Sequence, residues 1–252
     1  MKHLTNLTIA AGVFIFTKIY ADAISFNSIE FSGVNLVSHL LVITFVIQWI
    51  AYIPAFIFKT EKFYDLTGSI KYLLLTWFIY TLSYEFYGFN IGNLILATLI
   101  SMWTLRLGSF LFMRIHKDGE DKRFRTIKTS ASQFFLTWTL SGMWVSLCSI
   151  CALTAIANPF GVTLNLITYI GIGLFFLGFA IEVIADQQKT AFRSISENKN
   201  RFITSGLWAK SRHPNYLGEI ILWFAIAVIS FSSLSGTPVS YTHLTLPTSD
   251  LV

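Results

Sequence analysis

The sequence predicts an all-α membrane protein: a polytopic bundle of about seven transmembrane helices with a cap of cytoplasmic loops. Composition is the first observation, since 54% of the 252 residues are hydrophobic, only 12% are charged and the mean hydropathy is +0.62. A soluble domain of this length is less apolar. The second observation is a series of apolar runs of about 20 residues, the length that crosses a bilayer. The third is the concentration of basic residues in alternate connections between those runs.

Seven apolar runs define the predicted spans. The first run lacks the small-residue cleavage site of a signal peptide and carries Lys18 at its far end, so we predict a retained helix. The sixth contains Gly171, Gly173 and Gly178, which predict close helix packing rather than a dinucleotide-binding loop, because no strand precedes them. The runs cover residues 4–20, 34–58, 69–87, 91–112, 130–156, 164–184 and 216–234.

Basic residues predict how the spans are oriented. They follow or flank the second, fourth and sixth spans, so the loops at 59–71, 113–129 and 185–214 and the amino terminus are predicted to be cytoplasmic. Sided insertion accounts for the pI of 9.2, and nucleic acid is not an expected partner. The basic residues of these regions are Lys59, Lys62, Lys71, Arg106, Arg114, Lys117, Lys122, Arg123, Arg125, Lys128, Lys189, Arg193, Lys199, Arg201, Lys210 and Arg212.

The stretch SGLWAKSRHPNYLGE, residues 205–219, predicts an anion-binding site at the start of the last span. Pro214 has its φ pre-set for the first turn of a helix, so we predict that the helix begins there. The free N–H groups and the positive end of the helix dipole would then lie beside Arg212 and His213. Such a place suits a phosphate.

Polar side chains near the ends of the sixth and seventh spans are further candidates. Glu182, Asp186 and Arg193 are four and seven residues apart, so one helical face could present all three. An ionisable group within a span is unfavourable, which makes Glu182 a candidate ligand-binding residue, with a helix-end salt bridge as the alternative. Asn215 and Glu219 also share a face and offer an amide and a carboxylate to the polar head of a ligand.

Three other features bear on chemistry. Arg106 lies deep in the apolar run ISMWTLRLGSFLF and is a candidate for a phosphate contact, with a structural partner as the alternative. Tyr64 and Asp65, in KTEKFYDLTGS, could polarise or protonate a substrate carbonyl, although Tyr64 could equally be an interfacial anchor. Cys148 and Cys151 lie in an apolar run with no partner at metal-ligand spacing, so we predict packing and no metal site, with a disulfide between the two as the alternative.

We predict one domain over residues 1–236 and a foreign tail over residues 237–252. No internal repeat or long linker divides the first segment. The final YTHLTLPTSDLV switches abruptly to Thr, Ser and Pro, directly after a span that stops early at Leu234. This switch resembles the translated adapter read-through found at the ends of metagenomic contigs.

The motif SGLWAKSRHPNYLGE, with EVIADQQKTAFR and RFITSG before it, resembles the carboxyl-terminal half of the steroid 5-alpha-reductase family. The likeness covers residues 170–235 well, while TEKFYDLTGS and LRLGSFLFMR resemble an uncharacterised bacterial branch of that superfamily. Sterol delta-14 and delta-7 reductases carry a similar RHPNYLG run. The resemblance implies an integral protein of the bacterial inner membrane that binds NADPH from the cytoplasmic side and reduces a carbon–carbon double bond conjugated to a ketone in a small hydrophobic enone.

Residue roles follow from that resemblance by position. Asp186, Arg193 and Arg201 would hold the adenosine and phosphate portions of NADPH, while Asn215 and Glu219 would address the nicotinamide and ribose. Tyr64, Asp65 and Glu219 form the expected catalytic set. The expected cofactor-binding set is Arg106, Glu182, Asp186, Arg193, Arg201, Trp208, Arg212, His213, Asn215, Tyr216 and Glu219.

Two other functions remain open at this stage. The RHP-x-Y-x-G run also resembles that of isoprenylcysteine carboxyl methyltransferases, which bind S-adenosylmethionine at a helix start. Asn215 and the Gly218–Glu219 pair favour the reductases. The third possibility is a noncatalytic sterol-binding protein on the same fold. Membrane lipid is an expected partner in every case.

Overall fold

The computed structural model describes residues 2–25, 28–31, 33–198 and 201–234, so the predicted foreign tail lies outside the described residues. The described chain is almost entirely helical, which confirms the predicted all-α fold class. Two short 3-10 turns follow α7, at Ser196–Asn198 and Gly206–Ala209. The elements are α1 (Lys2–Ile24), β1 (Glu30–Phe31), β2 (Val34–Asn35), α2 (Leu36–Ile57), α3 (Tyr64–Tyr87), α4 (Ile91–Asp118), α5 (Phe124–Ile127), α6 (Ala131–Ala157), α7 (Leu166–Ser194) and α8 (Pro214–Leu234).

Each predicted apolar run corresponds to one long helix. Six of these helices, α1, α2, α4, α6, α7 and α8, are long and apolar enough to cross a membrane. The seventh, α3, has 24 residues and a length of about 36 Å, but it contains Lys71 and many Tyr, Thr and Ser residues. Large apolar side chains such as Ile50, Leu105 and Phe224 are exposed on the helix surfaces, as lipid contact requires.

Local sequence explains where several helices begin and end. The side chain of Asn90 accepts a hydrogen bond from the backbone N–H of Asn93 at 2.9 Å and caps the start of α4. Gly119, with a φ of 78°, follows the last residue of the same helix. As predicted, α8 begins at Pro214. The boundaries therefore follow ordinary capping chemistry.

A short antiparallel hairpin precedes α2 and was not predicted. Glu30 pairs with Asn35 and Phe31 pairs with Val34. Strands of two residues are too short to produce an alternating hydrophobic pattern, so the sequence carries no signal for them.

Two compact units make up the chain. The first consists of the described residues between 2 and 162 with 233–234, and the second of the described residues between 163 and 232. An aromatic cluster of Phe124, Phe134 and Trp138, with Ala55, forms one core of the first unit. The second unit contains α7, the two 3-10 turns and most of α8.

Two basic residues differ from their predicted surroundings. We predicted that Lys71 flanks a cytoplasmic loop, but its side chain, on α3, is fully buried. Lys18, which the sequence places inside an apolar run, forms an ion pair with Asp22 one turn later in α1, at 2.6 Å. A local partner therefore accompanies the charge that the sequence placed in a span.

Candidate functional site

Helices α7 and α8 of the second unit approach each other backbone to backbone. A Cβ atom at Gly218 would lie 2.6 Å from the backbone nitrogen of Glu182 and 2.7 Å from the carbonyl oxygen of Gly178. A Cβ at Gly178 would lie 2.6 Å from the carbonyl oxygen of Gly218. The predicted close packing is thus confirmed at Gly178. It is also confirmed at Gly171, where a Cβ would lie 2.6 Å from a side-chain carbon of Ile229. The prediction is wrong for Gly173, where a Cβ would meet nothing within 4 Å.

Acidic side chains lie next to this crossing. Glu182 and Asp186 are 3% and 7% exposed, on the face of α7 that follows Gly178 by one and two turns. Glu219, partly buried on α8, follows Gly218 directly and is close enough to Asp186 for their charges to repel. The predicted acidic residues therefore occupy the interior of the second unit rather than its surface.

Asn215 lies one turn before Glu219 on α8. Its carbonyl oxygen Oδ1 is buried and accepts no hydrogen bond from any described residue. Buried polar atoms in folded proteins are almost always partnered, so an acceptor that is unpaired among the described residues makes Asn215 a candidate for a ligand contact. The amide of Asn215 can accept from a hydroxyl or an N–H group of a ligand.

The loop before α8 is attached to α7 by specific contacts. The indole nitrogen of Trp208 donates to the carbonyl of Ala185 at 3.0 Å, and the ammonium of Lys189 lies 4.9 Å from the centre of the Trp208 ring. The side-chain oxygen of Gln188 accepts from the backbone N–H of Leu207 at 3.0 Å. These contacts hold Trp208 beside the turn of α7 that carries Asp186. Sequence reasoning missed Gln188, because one amide on a polar helix end gives no signal.

The predicted phosphate-binding residues lie at the surface of the second unit. Arg193, Arg201, Arg212 and His213 are all exposed. The ring of His213 stacks on the exposed ring of Tyr216, with centroids 5.3 Å apart and an angle of 21°. Arg193 lies on the exposed surface of α7, whereas Glu182 and Asp186 are buried, so the three do not share one environment. The unit has an acidic interior and a basic surface.

Tyr64 and Asp65 lie in the first unit, in the first turn of α3. The hydroxyl of Tyr64 donates to the carbonyl of Thr137 at 3.0 Å, and its ring packs edge-on against Phe124 and Trp138 at 5.1 Å. These contacts hold the side chain of Tyr64 against α6 and the aromatic cluster. Asp65 is among charged groups, with the guanidiniums of Arg114 and Arg123 and the carboxylate of Asp121 close enough to interact.

Arg106 also belongs to the first unit. It lies on α4 and is half-buried, with its guanidinium 5.4 Å from the centre of the Phe110 ring one turn later. A guanidinium over an aromatic face is stabilised without a carboxylate. The ring accounts for part of what keeps this charge in an apolar run.

Glu61, which sequence reasoning also missed, joins two loops of the first unit. Its carboxylate is 4% exposed, accepts from the backbone N–H of Asp121 at 2.9 Å and pairs with the ammonium of Lys128 at 2.7 Å. A signal was present, since this is one acid between two lysines in KTEK. Glu61 therefore links the loop before α3 to the segment between α4 and α6.

Asp121 is held by its own neighbours in the same loop. Burial alone would raise the pKa of Asp121, but hydrogen bonds from the side chain and backbone of Arg123, together with the charges of Arg123 and Arg114, outweigh it and lower the pKa below its usual value. The carboxylate therefore stays ionised and keeps its partners at neutral pH.

Comparison with known families assigns the chain to one of them. The family model described as "Protein of unknown function (DUF1295)" matches residues 51–248, so the chain belongs to this family of uncharacterised membrane proteins. No curated protein and no solved structure matches the chain significantly. The matched region includes both the acidic interior of the second unit and Tyr64 and Asp65 of the first.

Proposed function

We propose that this member of the DUF1295 family is a membrane-embedded reductase that uses NADPH to saturate a carbon–carbon double bond conjugated to a ketone in a lipid-like substrate. The observation that carries the proposal is the buried, unpaired acceptor of Asn215, one turn from Glu219 and on the same face. It adds to the motif resemblance a physical reason for a ligand at the α7–α8 crossing.

The distribution of charge supports a dinucleotide over a simple anion. Three carboxylates, from Glu182, Asp186 and Glu219, would repel a phosphate but accept hydrogen bonds from ribose hydroxyls and from a carboxamide N–H. The exposed Arg201 and Arg212 suit phosphates. The nicotinamide riboside end would therefore point inward, and the phosphates outward.

Bound NADPH would supply a hydride to the β-carbon of the enone, and a proton from solvent would complete the reduction at the α-carbon. Asn215 and Glu219 would orient the carboxamide and ribose, and the side chains of α7 and α8 would exclude water from them. Trp208, held against Ala185, would form part of the wall. Tyr64 is not favoured as a group that polarises a carbonyl, because its hydroxyl already donates to Thr137.

Ligand-induced stabilisation tests the proposal. The chain is purified in detergent and its thermal unfolding is followed with NADPH, with NADH and with S-adenosylmethionine. A ligand that binds the folded state raises the melting temperature by mass action, so we expect NADPH to raise it most. Stabilisation by S-adenosylmethionine alone would establish the methyltransferase alternative, and binding of a sterol ketone without NADPH turnover would establish the noncatalytic one.

A matched pair of amide substitutions locates the site. Asn215→Ala removes the unpaired acceptor, and Gln187→Ala removes an exposed amide from α7. We expect the first change to weaken NADPH binding by about tenfold, the loss of one good hydrogen bond, and the second to leave it unchanged. Equal NADPH affinities for both variants and the parent would remove Asn215 from the site.

A further inference from the structure

The interior of the first unit contains a buried cation outside the site described above. Lys71, on α3, is fully buried, and its ammonium nitrogen has no hydrogen-bond partner among the described residues. An unpaired ammonium in an apolar interior is strongly disfavoured, so such residues within spans are found with a partner or a ligand.

Gln48, on α2, is a second fully buried polar side chain with neither its oxygen nor its nitrogen bonded to a described residue. Contacts of the neighbouring residues show which part of α6 lies beside Gln48. The hydroxyl of Thr44, one turn earlier, lies 3.0 Å from the hydroxyl of Ser146, and the indole of Trp49 donates to Thr139 at 3.1 Å. Gln48 therefore lies at the level of residues 139–146 of α6.

Helices α3 and α6 run side by side in the same direction. Near their first turns, the hydroxyl of Tyr64 donates to the carbonyl of Thr137 at 3.0 Å. Near their last turns, the amide of Asn93 donates to Ser83 at 3.2 Å and to the carbonyl of Ile156 at 3.3 Å. Residues that are the same number of positions from Tyr64 on α3 and from Thr137 on α6 therefore lie at the same height along the bundle.

The same register places Lys71 beside the level of Gln48. Lys71 follows Tyr64 by seven residues, which is two turns on the same face and about 10 Å along the helix. Seven residues beyond Thr137, α6 reaches residue 144, which is within the range 139–146 at the level of Gln48. On α4, Thr104 follows Trp103, whose ring packs edge-on against the ring of Tyr72 at 5.2 Å, so Thr104 lies at this level too. Its hydroxyl is buried without a partner among the described residues.

Trp138, on α6, contributes a further hydrogen-bond donor. Its ring is fully buried, and its indole N–H has no acceptor among the described residues. Gln48 and Thr104 thus contribute polar atoms that are unpaired among the described residues at the level of Lys71, and Trp138, next to Thr137 on α6, contributes one roughly 9 Å further along toward the first turn of α3. The set is rich in donors: three from the ammonium, two from the Gln48 amide and one from the indole.

We propose that this interior, defined by Gln48, Lys71, Thr104 and Trp138, binds the carboxylate of a single-chain lipid, with Lys71 as its counter-ion. A carboxylate has two acceptor oxygens and one negative charge, which match the donors and neutralise the ammonium. Its hydrocarbon chain suits the apolar helices around it. The proposal goes beyond the reductase activity and does not depend on it.

Binding of oleate and of its uncharged analogues tests this site in the unmodified chain. Oleate, methyl oleate and oleyl alcohol are titrated into the detergent-solubilised protein, and dissociation constants are measured. We expect oleate to bind about tenfold or more tightly than either analogue, the ratio for one charge-assisted hydrogen bond. Equal affinities for the three lipids would overturn the proposal without any variant.

Two lysine substitutions then assign the binding to Lys71. Lys71→Met keeps the length of the side chain and removes the buried charge, so the lipid-free variant should melt at a temperature no lower than the parent's. It should lose the preference for oleate. Lys62→Met removes the charge of an exposed lysine just before α3, and this variant should keep the preference for oleate. Oleate binding that survives Lys71→Met would refute the assignment, and NADPH titration of the same variants distinguishes its failure from failure of the reductase proposal.

Discussion

The two units treat their charged groups in opposite ways. In the first, the charges at the loop end are paired: Glu61 with Lys128, Asp121 with Arg123, and Glu120 with Arg125. In the second, basic side chains such as Arg201 and Arg212 are exposed, while the acids Glu182 and Asp186 are buried. Paired charges organise loops, whereas a unit with buried acids and exposed bases offers both kinds of group to a ligand. The difference identifies the second unit as the better candidate site.

Breaking the buried pair should give the largest effect on stability. Glu61→Ala leaves the ammonium of Lys128 and the backbone N–H of Asp121 without their acceptor, and we expect a loss of about 3 kcal/mol. Thermal unfolding in detergent measures it. The comparison variant is Glu120→Gln, at the exposed pair with Arg125, which should leave the melting temperature unchanged. Similar losses for both would mean that the loop charges do not differ as described.

The glycine contact gives the next effect, in the second unit. Gly218→Ala inserts a methyl group 2.6 Å from the backbone of Glu182, and we expect a loss of about 2 kcal/mol. Gly173→Ala is the matched change, because a Cβ there meets nothing within 4 Å and alanine favours the helix. It should stabilise by about 0.5–1 kcal/mol. If Gly218→Ala were neutral, the helices would have to be further apart than the contact distances indicate.

The exposed arginines provide a smaller and purely electrostatic test. Arg212→Gln should weaken NADPH binding by about tenfold, and the difference from the parent should shrink as salt is added. Lys117→Gln removes an exposed charge from the first unit and serves as the control. Isothermal titration at low and at high salt measures both. A loss of affinity that is the same at every salt concentration would argue against a charge contact.

The bond from Trp208 gives the smallest change. Trp208→Phe removes the N–H that bonds to Ala185, and we expect about 1 kcal/mol less stability. Thermal unfolding measures this loss, and NADPH titration shows whether the wall it forms affects the ligand. Trp144→Phe, at a half-exposed position on α6, is the reference. Identical melting temperatures for the two variants would show that the bond contributes nothing.

Much of the fold could be predicted from sequence, because hydrophobic length fixes the spans and Pro214 fixes the start of α8. The close approach at Gly178 was also predictable from composition. The environment of Lys71 was not, since a lysine near the edge of an apolar run has the same pattern whether it faces solvent or the interior. The contacts of Glu61 with Asp121 and Lys128 were not predictable either, because these partners lie about 60 residues away in the chain.

The contact between Gly178 and Gly218 has a consequence for how α7 and α8 can move. With no side chain between the two backbones, no rotamer change can let one helix slide past the other, so Glu182 and Glu219 move together as a rigid pair. Any adjustment to a differently shaped ligand must then come from the segment between α7 and α8. We expect evolutionary variation in ligand preference within the family to concentrate in that connecting segment, and the helix crossing to stay constant.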